Sequence, residues 1–428
     1  MSNSNNSNPI PSKESIDSAI KYGLQKLGYE NNMTLKEKQK EAVHSFAEGN
    51  DVLVVLPTGY GKSLCFFLLP FIFDFIRSKV NSIIIVISPL KWLIQDQLSA
   101  LVRKNIYAIN LAEYHKGISL EGVKFIYTTP ETLLGFQKNL LCEPYIRNNL
   151  VGFAIDEAHC VINWGDSFRR DYGALKCAFR KLPSVQKIAL TATASPSTIQ
   201  KIGSRLILGP KYAKVMSLEQ RNNIKLGFRS ASTLSAFLNT LLDELITARP
   251  EAIKKTVIFC TKLEDSTDVY QFFKFYTMDN QSLWKNFQLY TSCTEDGLKM
   301  TIAKDFIEKD SNIRILVATS AFGMGVDAKG IERVIHVFPP LYLDDYVQQI
   351  GRAGRGDEQV EAILFYALKN EDKPKEMQIR NVTSPEMRRF LMHDGCKREF
   401  IAQYYGFRSE IIEPTKCCDF CLNEKNNN

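Results

Sequence analysis

Residues 51–63 read DVLVVLPTGYGKS, a run of Val and Leu that ends in a turn carrying two glycines, a lysine and a serine. A strand that does not alternate apolar with polar residues is buried on both faces, as in a parallel sheet covered by helices on each side. In the turn, Gly59 and Gly61 let the backbone curl so that successive N–H groups point at one place, reinforced by the start of the following helix. That is a phosphate cradle: Thr58, Gly59 and Gly61 shape the loop, Lys62 meets the β- and γ-phosphates, and Ser63 ligates Mg²⁺. The strict pattern has glycine at position 56, where this chain has Leu56.

The same strand-and-turn pattern recurs at 82–87, 123–127, 151–155 and 187–190, which predicts one doubly wound α/β domain over residues 26–210. It pauses near Gly209-Pro210 and restarts at 256–260, 313–318, 334–338 and 361–366, a second α/β domain over 211–370. The strand at 151–155 runs into DEAHCVINWGDSFRRDY, residues 156–172. Asp156 stands at the carboxyl end of that strand, placed to hold Mg²⁺, and Glu157 is placed to polarise an attacking water. A phosphate loop and an acidic pair, each closing a buried strand, predict ATP hydrolysis. Beyond the pair, Trp164 and Phe168 offer faces for bases and Arg169 a cation for phosphate.

Composition excludes other classes. At 428 residues, 45% hydrophobic and 24% charged, the chain is globular and long enough for two to three domains; its net charge of +7 suits a polyanionic partner. The most apolar run, 64–76, is short and broken by Pro70 and Asp74, so no membrane span is expected. Residues 1–25 are expected to be a disordered polar tail without a secretory signal. Six of the ten cysteines (Cys65, Cys142, Cys160, Cys177, Cys260, Cys293) are scattered through apolar stretches and read as buried thiols of a reducing compartment. Cys396, Cys417, Cys418 and Cys421 form a set of four, enough for one tetrahedral Zn²⁺; a redox dithiol is the alternative. Between them, Lys397, Arg398, Phe400, Tyr404 and Tyr405 predict a helix packed on the second lobe.

Further blocks stand in a fixed order: Leu27-Gly28-Tyr29 with Lys36 and Gln39; Ser88-Pro89-Leu90 with Gln95-Asp96-Gln97; Thr128-Thr129-Pro130-Glu131; Thr191-Ala192-Thr193. In the second lobe come Ala318-Thr319, Ala321-Phe322-Gly323-Met324-Gly325, and Gln348 with Gly351-Arg352-Ala353-Gly354-Arg355. With the DEAH loop and the cysteines, this order resembles the RecQ family of DNA helicases over most of residues 27–421. The resemblance implies two tandem RecA-like doubly wound parallel-sheet domains and, over 371–428, a small helical zinc-binding subdomain. It implies adenine recognition by Gln39 with Lys36 where Arg is usual, contacts to the DNA strand from Ser88, Gln97 and Thr129, and DNA sensing by Trp164, Phe168 and Arg169. It also implies that Arg355, with Arg352 beside it, is an arginine finger at the γ-phosphate. The chain departs from the family pattern at Asp166-Ser167, at Arg170 and at Asp327-Ala328-Lys329.

The function implied is a 3′–5′ helicase that uses ATP and Mg²⁺, acts on single-stranded and duplex DNA, and works in the nucleus, or in the cytoplasm of a cell without one. Because the chain stops soon after Cys421, no winged-helix domain is expected. That leaves open a DNA-stimulated ATPase, translocase or strand-annealing factor without robust unwinding, and a zinc-stabilised DNA-binding scaffold.

Overall fold

The structure is a computed structural model and describes residues 10–115, 119–163, 175–217, 221–231, 233–247, 253–308, 311–323, 330–354, 358–367, 383–408 and 412–427. The chain divides into two compact units, residues 1–218 and 219–428.

The first unit opens with helix α1 (Lys13–Lys26), capped by the Ser12 hydroxyl, which accepts from the Ser15 N–H. Part of the stretch expected to be a disordered tail is therefore helical. Ile16, Ala19, Ile20 and Leu24 recur at helical spacing and bury one face, although the polar residues before them dominate the local composition. After α2 (Glu37–Ala47) and β1 (Val52–Val55) come α3 (Ser63–Phe67) and α4 (Leu69–Arg77), and α1 packs on α4. Next in the chain are β2 (Ile83–Ile87), α5 (Lys91–Arg103), β3 (Ala108–Asn110), β4 (Phe125–Thr128), β5 (Leu150–Ile155), β6 (Gln186–Thr191) and β7 (Ala213–Met216). The seven strands lie in the order β3-β4-β2-β5-β6-β1-β7, and all pair in parallel. Every residue of β1, β2, β4 and β5 is buried, as non-alternating runs require. The first lobe extends past the expected limit at 210, because β7 adds to the free side of β1 with Val52 opposite Ala213. β7 carries one fully buried residue, Val215, and so lacks the apolar run that marks the inner strands.

The second unit has β8 (Ile224–Ala231), β9 (Thr256–Cys260), β10 (Phe287–Tyr290), β11 (Ile315–Ala318), β12 (Arg333–Val337) and β13 (Val360–Ala367). Their order is β10-β11-β9-β12-β13-β8, again all parallel. Phe237 stacks on Phe365 and Phe273 on Phe287 at the centre of its core. The expected C-terminal helix is present as Lys397–Tyr405, and the cysteine segment closes the outer edge of β8. There Cys418 bridges to Leu226 in parallel, and the Asp419 carboxylate accepts the Phe228 N–H at 2.7 Å. No described helix is long and apolar enough to cross a membrane.

Candidate nucleotide site, arginine turn and cysteine cluster

A parallel sheet brings the carboxyl ends of its strands to one edge, and Lys62, Asp156 and Glu157 of the first unit stand there. Past β1, Gly59 and Gly61 have φ of +86° and +88°, the left-handed region that the loop's curl needs. The Lys62 ammonium folds over the loop and donates to the carbonyls of Leu56 at 3.0 Å and Pro57 at 3.2 Å. Behind the loop, Gln39 Oε1 accepts the Lys36 N–H at 2.9 Å, while its Nε2 donates to the carbonyls of Tyr60 at 3.1 Å and Gly61 at 2.9 Å. A Cβ on Gly61 would stand 2.7 Å from that nitrogen, so a side chain there would displace the Gln39 amide and would be strained at this positive φ. The Lys36 ammonium lies 4.5 Å from the centre of the Tyr60 ring. Gln39 and Lys36 thus brace the phosphate loop, an arrangement the motif reading did not include.

At the end of β5 the Asp156 N–H donates to Ile87 O at 2.9 Å, and Asp156 Oδ1 accepts the Glu157 N–H at 3.0 Å. Glu157 has φ of +47°, a conformation that costs energy outside glycine and is concentrated at working sites. Both carboxylates are buried. Burial, then the neighbouring Glu157 charge, pushes the Asp156 carboxyl up to about 6; the Lys62 charge and a hydrogen bond from Gln97 act against that shift. Two buried carboxylates beside an ammonium are a donor set for a hard dication, and Ser63 begins α3 next to Lys62. His159 Nδ1 is 3.0 Å from Thr191 Oγ1, and Thr191 Oγ1 donates to Thr193 O at 3.1 Å. That same nitrogen is 3.3 Å from Glu157 Oε2, so the imidazole stands between the acidic pair and Thr191. The acidic pair is in this way linked to the Thr191-Ala192-Thr193 block.

Ser88, Gln97 and Thr129 reach the same edge and are all buried. The Ser88 N–H donates to Thr128 O at 3.0 Å, and Thr129 Oγ1 accepts the Thr132 N–H at 3.3 Å at the start of the helix Pro130–Leu140. Gln97 turns toward Asp156. Trp164, Phe168, Arg169 and Arg355 lie outside the described residues, as do Asp166-Ser167, Arg170 and Asp327-Ala328-Lys329.

In the second unit the helix Leu343–Ile350 ends in the turn that carries Arg352, itself buried. The Gly354 N–H donates to Ile331 O at 2.9 Å, just before β12, which sets the turn at the amino edge of the sheet. Gly354 has φ of +56°, and a Cβ there would meet Asn223 Nδ2 at 2.6 Å. Asn223 donates to Gly354 O at 2.8 Å and Arg221 to Ala353 O at 2.8 Å. Neither residue was found in the sequence, because both precede β8 in a segment without a motif.

All ten cysteines are free thiols; Cys142, Cys177 and Cys293 are exposed, against the expectation of burial, since Cys142 and Cys293 lie in turns and Cys177 within a short helical stretch rather than in a strand. The Sγ atoms of Cys396, Cys417, Cys418 and Cys421 all fall within 4.8 Å of one another. Cys396–Cys417, Cys418–Cys421 and Cys417–Cys421 are 3.5, 3.6 and 3.8 Å apart. Four sulfurs at about 2.3 Å from one zinc are separated by about 3.8 Å, so the spacing suits a tetrahedral Zn²⁺. Hydrogen bonds from Cys396 and Cys417 pull the Cys418 thiol far down, whereas burial pushes Cys421 up to about 12. Zinc binding takes such sulfurs as thiolates and releases their protons.

The fold and these sites define a two-lobed protein with a phosphate loop, an acidic pair and a cysteine cluster. The DEAD/DEAH box helicase family matches residues 36–202, and the helicase conserved C-terminal domain matches residues 237–357. The probable ATP-dependent DNA helicase RecS of Bacillus subtilis is 30% identical over 368 residues, covering 83% of this chain and 68% of that protein. The ATP-dependent DNA helicase Q1 of Rattus norvegicus is 29% identical (90% of this chain, 62% of that one), and RecQ of Haemophilus influenzae is 28% identical (91% and 61%). The chain belongs to the RecQ family, and it spans about six-tenths of the length of the last two relatives. In fold it is similar to the helicase MrfA bound to DNA, with a TM-score of 0.65 at 18% identity over 95% of this chain and 56% of that one. It is also similar to Mss116p bound to single-stranded RNA, with a TM-score of 0.66 at 14% identity over 94% and 82%.

Proposed function

We propose that this chain is an ATP-dependent DNA helicase that steps 3′ to 5′ along single-stranded DNA and separates duplexes. The observation that carries the proposal is the convergence of Lys62, Asp156 and Glu157 on one sheet edge, with Lys62 close enough for its charge to lower the Asp156 carboxyl. Lys62 neutralises the β- and γ-phosphates of ATP, and Thr58, Gly59 and Gly61 shape the backbone that receives them. Ser63 and Asp156 would hold Mg²⁺, which would supply neutralising charge to the phosphates. Glu157 orients the attacking water through its carboxylate, and Arg352 and Arg355 offset charge that develops during transfer. Gln39 and Lys36 serve the base as well as bracing the loop. His159 passes the state of the acidic pair to Thr191, while Ser88, Gln97, Thr129, Trp164, Phe168 and Arg169 engage the strand. Cys396, Cys417, Cys418 and Cys421 bind structural Zn²⁺. The compartment is that of the DNA: the nucleus in a cell that has one, otherwise the cytoplasm.

Strand separation on duplexes with either a 3′ or a 5′ tail tests this reading. With ATP and Mg²⁺ the 3′-tailed duplex should be unwound and the 5′-tailed one left intact. ATP turnover without separation of either would instead select a translocase or annealing factor.

A further inference from the structure

The arginine turn is held by side chains that belong to none of the helicase motifs. The last carbonyls of a helix have no partner within it and carry partial negative charge, so a cation is favourable there. Past Leu343–Ile350 the chain turns at 351–354, near this negative end, and the cation there is Arg221, whose guanidinium donates to the turn's own carbonyls: Gly351 O at 3.4 Å, Ala353 O at 2.8 Å and Gly354 O. These carbonyls lie on both sides of Arg352, and Gly354 leads directly into Arg355. Arg221 is in turn held by Arg398. This buried guanidinium donates to the backbone carbonyl of Arg221 at 3.1 Å and to that of Ile224. Arg398 is in the first turn of the helix that starts next to Cys396. At the far end of that helix the Tyr405 hydroxyl donates to Asp344 Oδ1 at 2.7 Å, on the same helix that ends in the turn. On its other side the cysteine segment is fastened to β8 by the Cys418–Leu226 bridge and by Asp419.

We infer that Arg398 and Arg221 are positioning residues for the arginine turn, joining the cysteine cluster to the backbone that carries Arg352 and leads into Arg355. Both guanidinia are directed at backbone carbonyls. A planar fork can bond two or three carbonyls at once in a fixed direction, and a lysine ammonium cannot reproduce that geometry. The kinetic consequence rests on the proposed ATPase; the structural one does not.

The test uses the full chain as wild type, Arg221→Lys, Arg398→Lys and, as a control, Arg229→Ala, which removes an exposed ion pair between β8 and Asp419. Three readouts are taken: amide hydrogen exchange, zinc content, and ATPase kcat and KM. In Arg221→Lys and Arg398→Lys, the amides of residues 351–354 should exchange roughly ten-fold faster, as expected from losing one or two charge-assisted hydrogen bonds. Zinc content and exchange in β9 and β11 should match wild type. The value of kcat should fall about ten-fold while KM for ATP moves less than about three-fold, the pattern of a lost transition-state contact. Arg229→Ala should match wild type throughout. Unchanged exchange at 351–354 in both lysine variants overturns the inference. So does exchange raised across the whole second unit together with zinc loss, or an equal effect in Arg229→Ala, because each marks a general structural role. If the wild type hydrolyses no ATP with single-stranded DNA, the proposed function fails, and the exchange readout alone still decides whether the relay exists.

Discussion

The phosphate edge of the first unit and the arginine turn of the second are built in opposite ways. At the phosphate edge each functional group closes its own strand: Lys62 follows β1, Asp156 and Glu157 follow β5, and Thr191 ends β6. Their positions follow from the sheet, and the contacts that tune them come from neighbouring strand ends and from helices α2 and α5. The arginine turn is instead held by residues remote in sequence, with Arg221 reaching forward 130 positions to Gly351 and Arg398 reaching back 177 to Arg221. A site carried by a sheet should lose its chemistry on substitution and keep its fold. A site held by borrowed side chains should lose its shape when a distant segment is disturbed.

The sharpest local edit is Lys62→Ala, which should lower DNA-stimulated ATP hydrolysis by about 10³-fold or more while leaving the melting temperature near that of wild type. Glu157→Gln should reduce kcat by roughly 10²–10³-fold and still bind ATP, as measured by titration with a fluorescent analogue. A loss of folded protein in either variant would break the contrast. Next comes the distant edit. Cys418→Ser, or zinc removed by a chelator, should reduce bound zinc to near zero by elemental analysis and lower the stability of the second unit by several kcal/mol. An unchanged melting curve for the zinc-free protein would contradict it.

The smallest effect is a gain. Burial and then the charge of Glu157 raise the Asp156 carboxyl from 3.8 to about 6, so the folded chain holds that proton more tightly than the unfolded chain. The resulting stability is complete below about pH 4 and is lost as pH rises through about 6. Without Mg²⁺ at pH 7, Asp156→Asn should therefore be more stable than wild type by on the order of 2 kcal/mol in denaturant titrations, converging with it near pH 4. A less stable variant at pH 7 would show that the carboxylate is satisfied rather than strained.

These two modes of construction also decide what the sequence made legible. The inner strands of both sheets carry apolar runs, broken only by a few polar residues such as His336 and Glu361, so their places and the residues at their ends could be read directly. The edge strands β3, β7, β8 and β10 are only partly buried or alternate with polar residues, and none was expected. Helix α1 was missed because its apolar stripe follows a polar stretch that dominates the composition. At the sites, Lys62, the acidic pair and the four cysteines stand in recognisable spacings, and the structure brings each set together. The bracing of Gly61 by Gln39, the bond from Gln97 to Asp156 and the hold of Arg221 and Arg398 on the turn have no local signature. Each depends on which elements the fold makes neighbours, and a motif describes only one element at a time.

The central claim is that the Lys62–Asp156–Glu157 edge hydrolyses ATP in response to DNA, and steady-state ATP hydrolysis with and without single-stranded DNA tests it most directly. The account predicts slow turnover without DNA, stimulation of ten-fold or more with it, and loss of both in Lys62→Ala. Turnover that ignores DNA, or that survives Lys62→Ala, would contradict it.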